Sequence, residues 1–225
     1  MRLLALDTAT EGCSAALLQS GETAELYEEL GRGHAERILP MIDELLTRGG
    51  IALAAVDAIA FGRGPGGFTG VRLATSLAQG LAFSAALPLV PVSDLRAVAQ
   101  LALDEHPEAR TVLVCNDARM GEVYWACFER LAQGTPGQIG IEHVTRPELI
   151  KLPGEWRRSD VLAGRGIAQY PQISRLLRHA VVSDRLLPRA GAIARLAACD
   201  FASGLKVEPH DAAPVYLRND VARPG

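Results

Sequence analysis

The groups in this chain that could do chemistry gather around one stretch, Gly62-Arg63-Gly64-Pro65-Gly66-Gly67-Phe68-Thr69-Gly70-Val71-Arg72, which holds five glycines and a proline. It closes an apolar strand, Val56 to Phe61, and opens a long helix expected from Thr69 to Ala86. A glycine-rich strand-to-helix turn presents unpaired N–H groups at a helix N-terminus, which suits a phosphate. It equally lets a helix pack close to its sheet, and the stretch alone is compatible with both. No Gly-Lys-Ser/Thr follows, so it is not a P-loop, and it is not a G-x-G-x-x-G dinucleotide fingerprint with an acidic residue about 20 positions on. Arg63 and Arg72 flank the turn, where a phosphate or an ordinary ion pair would engage them.

Other catalytic constellations are weaker. Cys13, Cys115, Cys127 and Cys199 lie far apart among small apolar neighbours, as buried reduced thiols would. His34, His106, His143, His179 and His210 form no H-x-x-H, H-x-x-x-H or H-E-x-x-H, which argues against a local metal site. A peptidase reading finds no G-x-S-x-G elbow, and Ser76 lies within an apolar helical pattern, although a triad is defined by geometry and not by order. A small-molecule kinase reading would use Asp7 as metal-organising acid, the glycine turns on the phosphates, and Asp117 as the substrate-activating carboxylate.

The 225 residues are 48% hydrophobic with net charge −3, enough for a real core and not the balance of an electrostatic nucleic-acid binder. Acidic residues dominate 1–60 and basic ones 146–195, as solvated faces or as a basic second half touching RNA. No apolar run has membrane-span length, since Ser76, Gln79, Gly80 and Ser84 interrupt the most apolar segment, Leu73 to Leu87. With no secretory lead, a cytoplasmic location is expected.

The elements that must position these groups read in order as a repeated unit. Leu3 to Leu6 forms a buried strand ending in Asp7, and Ser14 to Leu18 and Thr23 to Glu29 complete a meander around Ser20-Gly21. Ile38, Met41, Ile42, Leu45 and Leu46 recur at helical spacing over His34 to Arg48, and Gly49-Gly50 stops that helix. In the helix after the glycine stretch, Gly70, Ala74, Ala78 and Ala82 form one row of small residues. Ser76, Gly80 and Ser84 form another, with Leu73, Leu77 and Leu81 between. Such rows admit close approach of a sheet or of another helix. A strand over Leu89 to Val92 and a helix capped by Ser93 follow.

The second half restarts with a strand over Thr111 to Cys115 ending at Asn116-Asp117, then a strand from Glu122 to Glu129. After a Pro/Gly-rich break at Gln133 to Gly140, capping-box spacing at Thr145 to Glu148 announces a short helix. A strand over Asp160 to Ala163 meets a second glycine turn, Gly164-Arg165-Gly166. An amphipathic helix over Arg189 to Ser203 and an extended tail, Ala213 to Arg218, follow. Two packed α/β lobes are expected, 1–107 and a reduced 108–225, with the last helix and tail packing back on the first lobe.

A β-β-β-α-β-α half with an acid ending strand one, restarted once, is similar to the actin/hexokinase/Hsp70-like ATPase fold, which is ribonuclease H-like. Leu4-Ala5-Leu6-Asp7-Thr8-Ala9-Thr10, Arg37-Ile38-Leu39-Pro40, the glycine stretch, Asp117-Ala118-Arg119-Met120-Gly121-Glu122-Val123-Tyr124 and Pro214-Val215-Tyr216-Leu217-Arg218 closely resemble the TsaB, or YeaZ, family along nearly the whole chain. The resemblance implies a non-catalytic partner of the related subunit TsaD, working with TsaE. That machinery puts a threonylcarbamoyl group on the adenosine next to the anticodon of tRNAs reading codons that begin with A.

It implies a heterodimer with TsaD, a homodimer when the chain is alone, and tRNA engaged only indirectly. The implied partner-binding residues are His34, Arg37, Ile38, Met41, Ile42, Leu45, Arg72, Leu73, Ser76, Leu77, Gly80, Leu81 and Ser84. Asp7, Thr8, Thr10, Gly64, Gly66, Gly67 and Thr69 would form a vestigial or shared nucleotide site, with no cofactor bound by the chain alone and ADP or ATP at most at the interface of the complex. Two departures agree with a scaffold role: the H-x-x-x-H metal helix of the catalytic relative has Ile38 four residues after His34, and the glycine of Asp-x-Gly-Thr is Ala9. Arg119 and Glu122 either pair across a turn or contact a partner or tRNA.

Overall fold

Uninterrupted apolar runs between turn residues make the first strands. The computed structural model describes residues 1–153 and 160–218. β1 (Arg2–Asp7), β2 (Gly12–Gln19) and β3 (Glu22–Glu29) form an antiparallel meander. Ser20 and Gly21 are both left-handed in the β2–β3 turn, as a tight two-residue hairpin requires. α1 (His34–Gly49) stops at left-handed Gly50, whose N–H reaches the carbonyls of Leu46 and Thr47. β4 (Ala58–Gly62) adds parallel to β1 with Leu6 opposite Phe61, and α2 (Phe68–Ala85) leads to β5 (Leu89–Val92), parallel to β4.

The resulting sheet has the order β3-β2-β1-β4-β5. Its central strand has Leu3, Leu4, Ala5 and Leu6 all at 0% exposure, the condition that favours a continuous apolar run over alternation. The core gathers Leu4, Leu6, Phe61 and Ile59 with Ile38, Met41 and Leu45 of α1 and Ala74, Ala78 and Ala82 of α2. α5 (Ala190–Ala202) packs on β1, β2, β4 and β5. Its first N–H groups are satisfied from the sheet: Ala190 donates to Ser14 Oγ at 2.9 Å and Gly191 to a Glu25 carboxylate oxygen at 2.8 Å.

These elements make up one compact unit, Met1–Ala97 with Leu187–Pro214; the second is Val98–Leu186 with Val215–Gly225. The boundary between the two, at Ala97 and Val98, falls within α3 (Asp94–Glu105). In the second unit β6 (Thr111–Arg119), β7 (Glu122–Arg130) and β8 (Pro136–Thr145) are antiparallel, and β9 (Val161–Ala163) and β10 (Val181–Val182) are parallel additions. The order β10-β9-β6-β7-β8 repeats the first sheet strand for strand and sense for sense. This is the duplicated unit of the actin/hexokinase/Hsp70-like ATPase fold. The repeat is reduced: α4 (Arg165–Gln169) has 5 residues where α2 has 18.

Several expected elements change. The Pro/Gly-rich break at 133–140 is largely strand β8, with Pro136 at its first position, where no ladder N–H is needed, and Gly140 left-handed. β6 continues through Asn116 and Asp117 to Arg119. The capping box at Thr145 is not made: Thr145 Oγ1 instead accepts from the Trp125 indole N–H at 2.9 Å, and only a 3-10 turn, Pro147–Leu149, follows. α5 buries Ala190 to Ala194, Leu196 and Ala197, while Arg195 is exposed and the last turn is partly open. Part of the basic stretch 146–195 and the tail beyond Arg218 lie outside the described residues.

Candidate functional site

The glycine stretch packs against the end of β1. Gly67 N–H donates to the Ala9 carbonyl at 2.7 Å, and Thr8 Oγ1 donates to the Gly70 carbonyl at 2.7 Å. A Cβ at Gly66 would lie 2.5 Å from the Ala9 carbonyl oxygen, and one at Gly70 would lie 2.0 Å from that of Thr8. Both glycines therefore serve close backbone approach to the turn after β1. Of the other candidate nucleotide contacts, Thr69 is exposed, while Thr10 Oγ1 accepts from the Gly12 N–H and its carbonyl accepts from His34 Nε2 at 3.0 Å.

Beneath this loop sits an acid pair that only half emerged from the sequence. Asp7, the last residue of β1, and Asp94, the first of α3, are both at 0% exposure. A Cβ on Gly62 would come within 2.4 Å of Oδ1 of each, so glycine there makes room for both carboxyls. Asp7 Oδ1 accepts from the Ala9 N–H at 3.0 Å, and Asp94 Oδ2 accepts from the N–H of Gly64, which is left-handed.

Burial pushes the Asp7 carboxyl up to about 6, against its hydrogen bonds to Asp94 and the backbone. Asp94 is held well above the usual carboxylate range by burial and then by the charge of Asp7. The remaining oxygens, Asp7 Oδ2 and Asp94 Oδ1, meet no donor among the described residues, an arrangement that favours a proton held on the pair. This arrangement ties the ends of β1, β4 and β5 together. Among the described residues no three His, Cys, Asp or Glu side chains cluster as metal ligands would.

The two helices expected to meet a partner divide differently from the sequence reading. Ile38, Met41, Ile42 and Leu45 of α1 are 0–3% exposed and belong to the chain's own core, so they are not available to a partner. Their periodicity reports packing on β2. Arg37 is exposed and paired with Glu28, and His34 is half-buried on Thr10.

In α2 the row Gly70, Ala74, Ala78, Ala82 faces inward, with Ala74, Ala78 and Ala82 at 0% exposure. The other row remains at the surface: Arg72, Ser76, Gly80 and Ser84 are exposed, and Leu73, Leu77 and Leu81 are half-buried beside them. Phe83, which sequence reasoning passed over, is 84% exposed. The flank is closed by Gln79, whose amide donates to the carbonyls of Pro209 and Ala212 at 3.0 and 3.1 Å. Arg72 lies over the Phe68 ring, 3.6 Å from its centroid.

Gly80 separates packing demand from surface demand. It lies mid-helix with ordinary helical backbone, and a Cβ there would meet nothing within 4 Å. Nothing in its own unit requires glycine at that point, although glycine in a helix interior is less stable than alanine by about 0.5–1 kcal/mol. The two small-residue rows thus have opposite tasks: one is pressed onto this sheet, the other leaves an exposed, shallow, mostly uncharged track.

In the second unit, Gly164 and Gly166 approach the Cys115 carbonyl as Gly66 and Gly70 approach β1; Cβ atoms there would lie 2.4 and 2.8 Å from it. Arg119 and Glu122 stand opposite each other in the β6–β7 register, but their side chains form ion pairs with other residues. Arg119 bonds Asp117 at 3.0 Å and Glu122 bonds Arg218. Asp117 also accepts from the Tyr170 hydroxyl at 3.3 Å, so this carboxylate anchors a turn.

A β-β-β-α-β-α unit repeated once places the chain in the actin/hexokinase/Hsp70-like class. A family model described as TsaD, tRNA N6-adenosine threonylcarbamoyltransferase, matches residues 27–222. The tRNA threonylcarbamoyladenosine biosynthesis protein TsaB of Escherichia coli (strain K12) is 43% identical over 99% of this chain and 96% of its own length. Its namesake in Haemophilus influenzae is 41% identical over 98% and 95%. The solved structure of YeaZ from Pseudomonas aeruginosa is 45% identical with a TM-score of 0.87, covering 96% of this chain and 99% of that one. Another Pseudomonas aeruginosa structure, described as having similarity to peptidase YEAZ, gives 0.90 at 46% identity over the same shares. The chain belongs to the TsaB (YeaZ) family.

Proposed function

We propose that this chain is a non-catalytic, cytoplasmic subunit of tRNA threonylcarbamoyladenosine biosynthesis, working as scaffold and activator of a TsaD homologue together with TsaE. Its names come from the relatives; the observation that carries the subunit reading is the exposed Arg72-Ser76-Gly80-Ser84 row of α2, with a glycine its own unit does not require. A second helix crossing at Gly80 would approach closely and cover Leu73, Leu77 and Leu81 at little cost in side-chain entropy. The exposed part of the proposed face is therefore Arg72, Leu73, Ser76, Leu77, Gly80, Leu81 and Ser84, joined by Arg37 and His34 from α1. In isolation the same track would pair two copies of the chain.

Ala9, standing where Asp-x-Gly-Thr has its glycine, supports the non-catalytic half of the reading, because its methyl takes space a phosphate oxygen would need. Any ADP or ATP then belongs to the interface of the complex, and tRNA is engaged through the partner. No helix among the described residues is long and apolar enough to cross a membrane.

Reconstitution of tRNA threonylcarbamoylation from purified TsaD and TsaE homologues, the threonylcarbamoyl donor and tRNA, with and without this chain, tests the proposal. Modification is expected only when the chain is present at stoichiometric level, and the chain alone is expected to turn over neither donor, sugar nor casein. Full modification in its absence, or turnover by the isolated chain, would overturn it.

A further inference from the structure

The motif Asp117-Ala118-Arg119-Met120-Gly121-Glu122 is not used by the proposed partner face, and its backbone is unusual. Arg119 (φ 62), Met120 (φ 56) and Gly121 (φ 76) are three successive left-handed residues at the β6–β7 tip, and the first two are not glycine. Met120 and Gly121 are the loop of a two-residue hairpin closed by Arg119 opposite Glu122, which favours left-handed backbone at both, whereas Arg119, at the bulge before them, needs holding by surrounding groups. Met120 is 83% exposed, so packing does not hold it there. The restraint comes from both sides of the turn. From within, Asp117 Oδ1 accepts from the Arg119 N–H at 2.9 Å.

From a segment about a hundred residues on, Arg218 Nη2 donates to the Ala118 carbonyl at 3.0 Å and Nε donates to Glu122 Oε2 at 3.1 Å. Nη1 also reaches Met120 Sδ at 3.3 Å. Arg218 thus bridges the residue before the left-handed run and the residue after it. The planar fork of donors suits that task better than a lysine would.

We propose that Arg218 is a latch that holds the Arg119-Met120-Gly121 tip in a preformed, projecting conformation, so that docking of the 215–218 segment decides whether the exposed Met120 and Arg119 are presented in a fixed geometry. The latch acts on a left-handed turn, which makes it separable from general support of the unit. Hydrogen exchange by mass spectrometry on the full chain, followed in peptides spanning 116–124, tests it. Arg218→Gln should accelerate exchange at the tip by about tenfold, the scale of losing charge-assisted hydrogen bonds at a locally opening site, with α2 peptides unchanged.

In an Arg119→Gly background, where the left-handed position at the bulge no longer needs holding, the same substitution should give under about threefold. Unchanged tip exchange in Arg218→Gln, equal acceleration in both backgrounds, or acceleration throughout the unit would each overturn the latch. If Arg218→Gln does not fold, Glu122→Gln, which removes the charge of the pair and keeps its shape, is read by the same criteria.

Discussion

Substituting Gly80 by alanine should have opposite effects on the free chain and on its complex. In the free chain the new methyl enters open space, since a Cβ at Gly80 meets no heavy atom within 4 Å. The helix gains the ordinary difference between glycine and alanine in an interior position, about 0.8–1 kcal/mol. For a domain of this size that raises Tm by roughly 2–4 °C. At the proposed interface the methyl lies where another helix would cross, and overpacking there costs about 1–3 kcal/mol, a fivefold to roughly hundredfold rise in Kd.

Thermal unfolding, at a concentration where light scattering shows a monomer, and calorimetric titration with the TsaD homologue give the two numbers. Gly70→Ala is the control of opposite sign in stability, because its Cβ would stand 2.0 Å from the Thr8 carbonyl oxygen and must displace backbone. A Gly80→Ala chain that is less stable than the parent would mean that something in the free protein already packs on Gly80. A chain that is more stable and binds unchanged would remove Gly80 from the interface and with it the main physical support for the proposed face.

Ala78→Arg should abolish soluble folded protein, because Ala78 is at 0% exposure and a buried unpaired cation costs several kcal/mol; Ser76→Arg, on the exposed row, should leave the circular dichroism spectrum unchanged and block the heterodimer. Stability should fall as pH rises from about 4 through 6, since burial holds the Asp7 carboxyl at about 6 and Asp94 well above the usual carboxylate range, so the native state binds more protons than the unfolded chain. The slope approaches about 1.4 kcal/mol per pH unit for each proton, and Asp94→Asn, which keeps one donor in the pair, should flatten it in urea titrations at successive pH values; an unchanged slope would refute the proton held on the pair. Calorimetry of the isolated chain with ATP and magnesium should show no binding in the micromolar range, because Ala9 puts a methyl where a glycine would let a phosphate oxygen approach backbone N–H.

The strand order was readable because each central strand is an apolar run ending at a polar residue, and because the restart at Thr111 copies the pattern at Leu3. β8 was not, since a bulged edge strand beginning Pro-Gly looks locally like a loop, and only the register against β7 makes it a strand. The glycine stretch was located but not decided. Composition places a glycine and does not say whether a ligand or a carbonyl stands opposite it, and here Thr8 and Ala9 do.

Asp94 escaped because one acid beside a capping serine looks like helix punctuation; its partner is Asp7, on another strand, and a contact of that range leaves no periodic trace. The partner face shows the same limit from the other side. Apolar periodicity in α1 pointed to Ile38, Met41, Ile42 and Leu45, yet a strong apolar stripe is what a helix needs to pack on its own sheet, and the four are core. Periodicity reports the buried face of a helix regardless of what buries it. What distinguishes an unfilled face is a residue that makes no sense for the fold it sits in, and in α2 that residue is Gly80: its inward neighbours Ala78 and Ala82 are small because the sheet presses on them, whereas Gly80 is small with nothing above it.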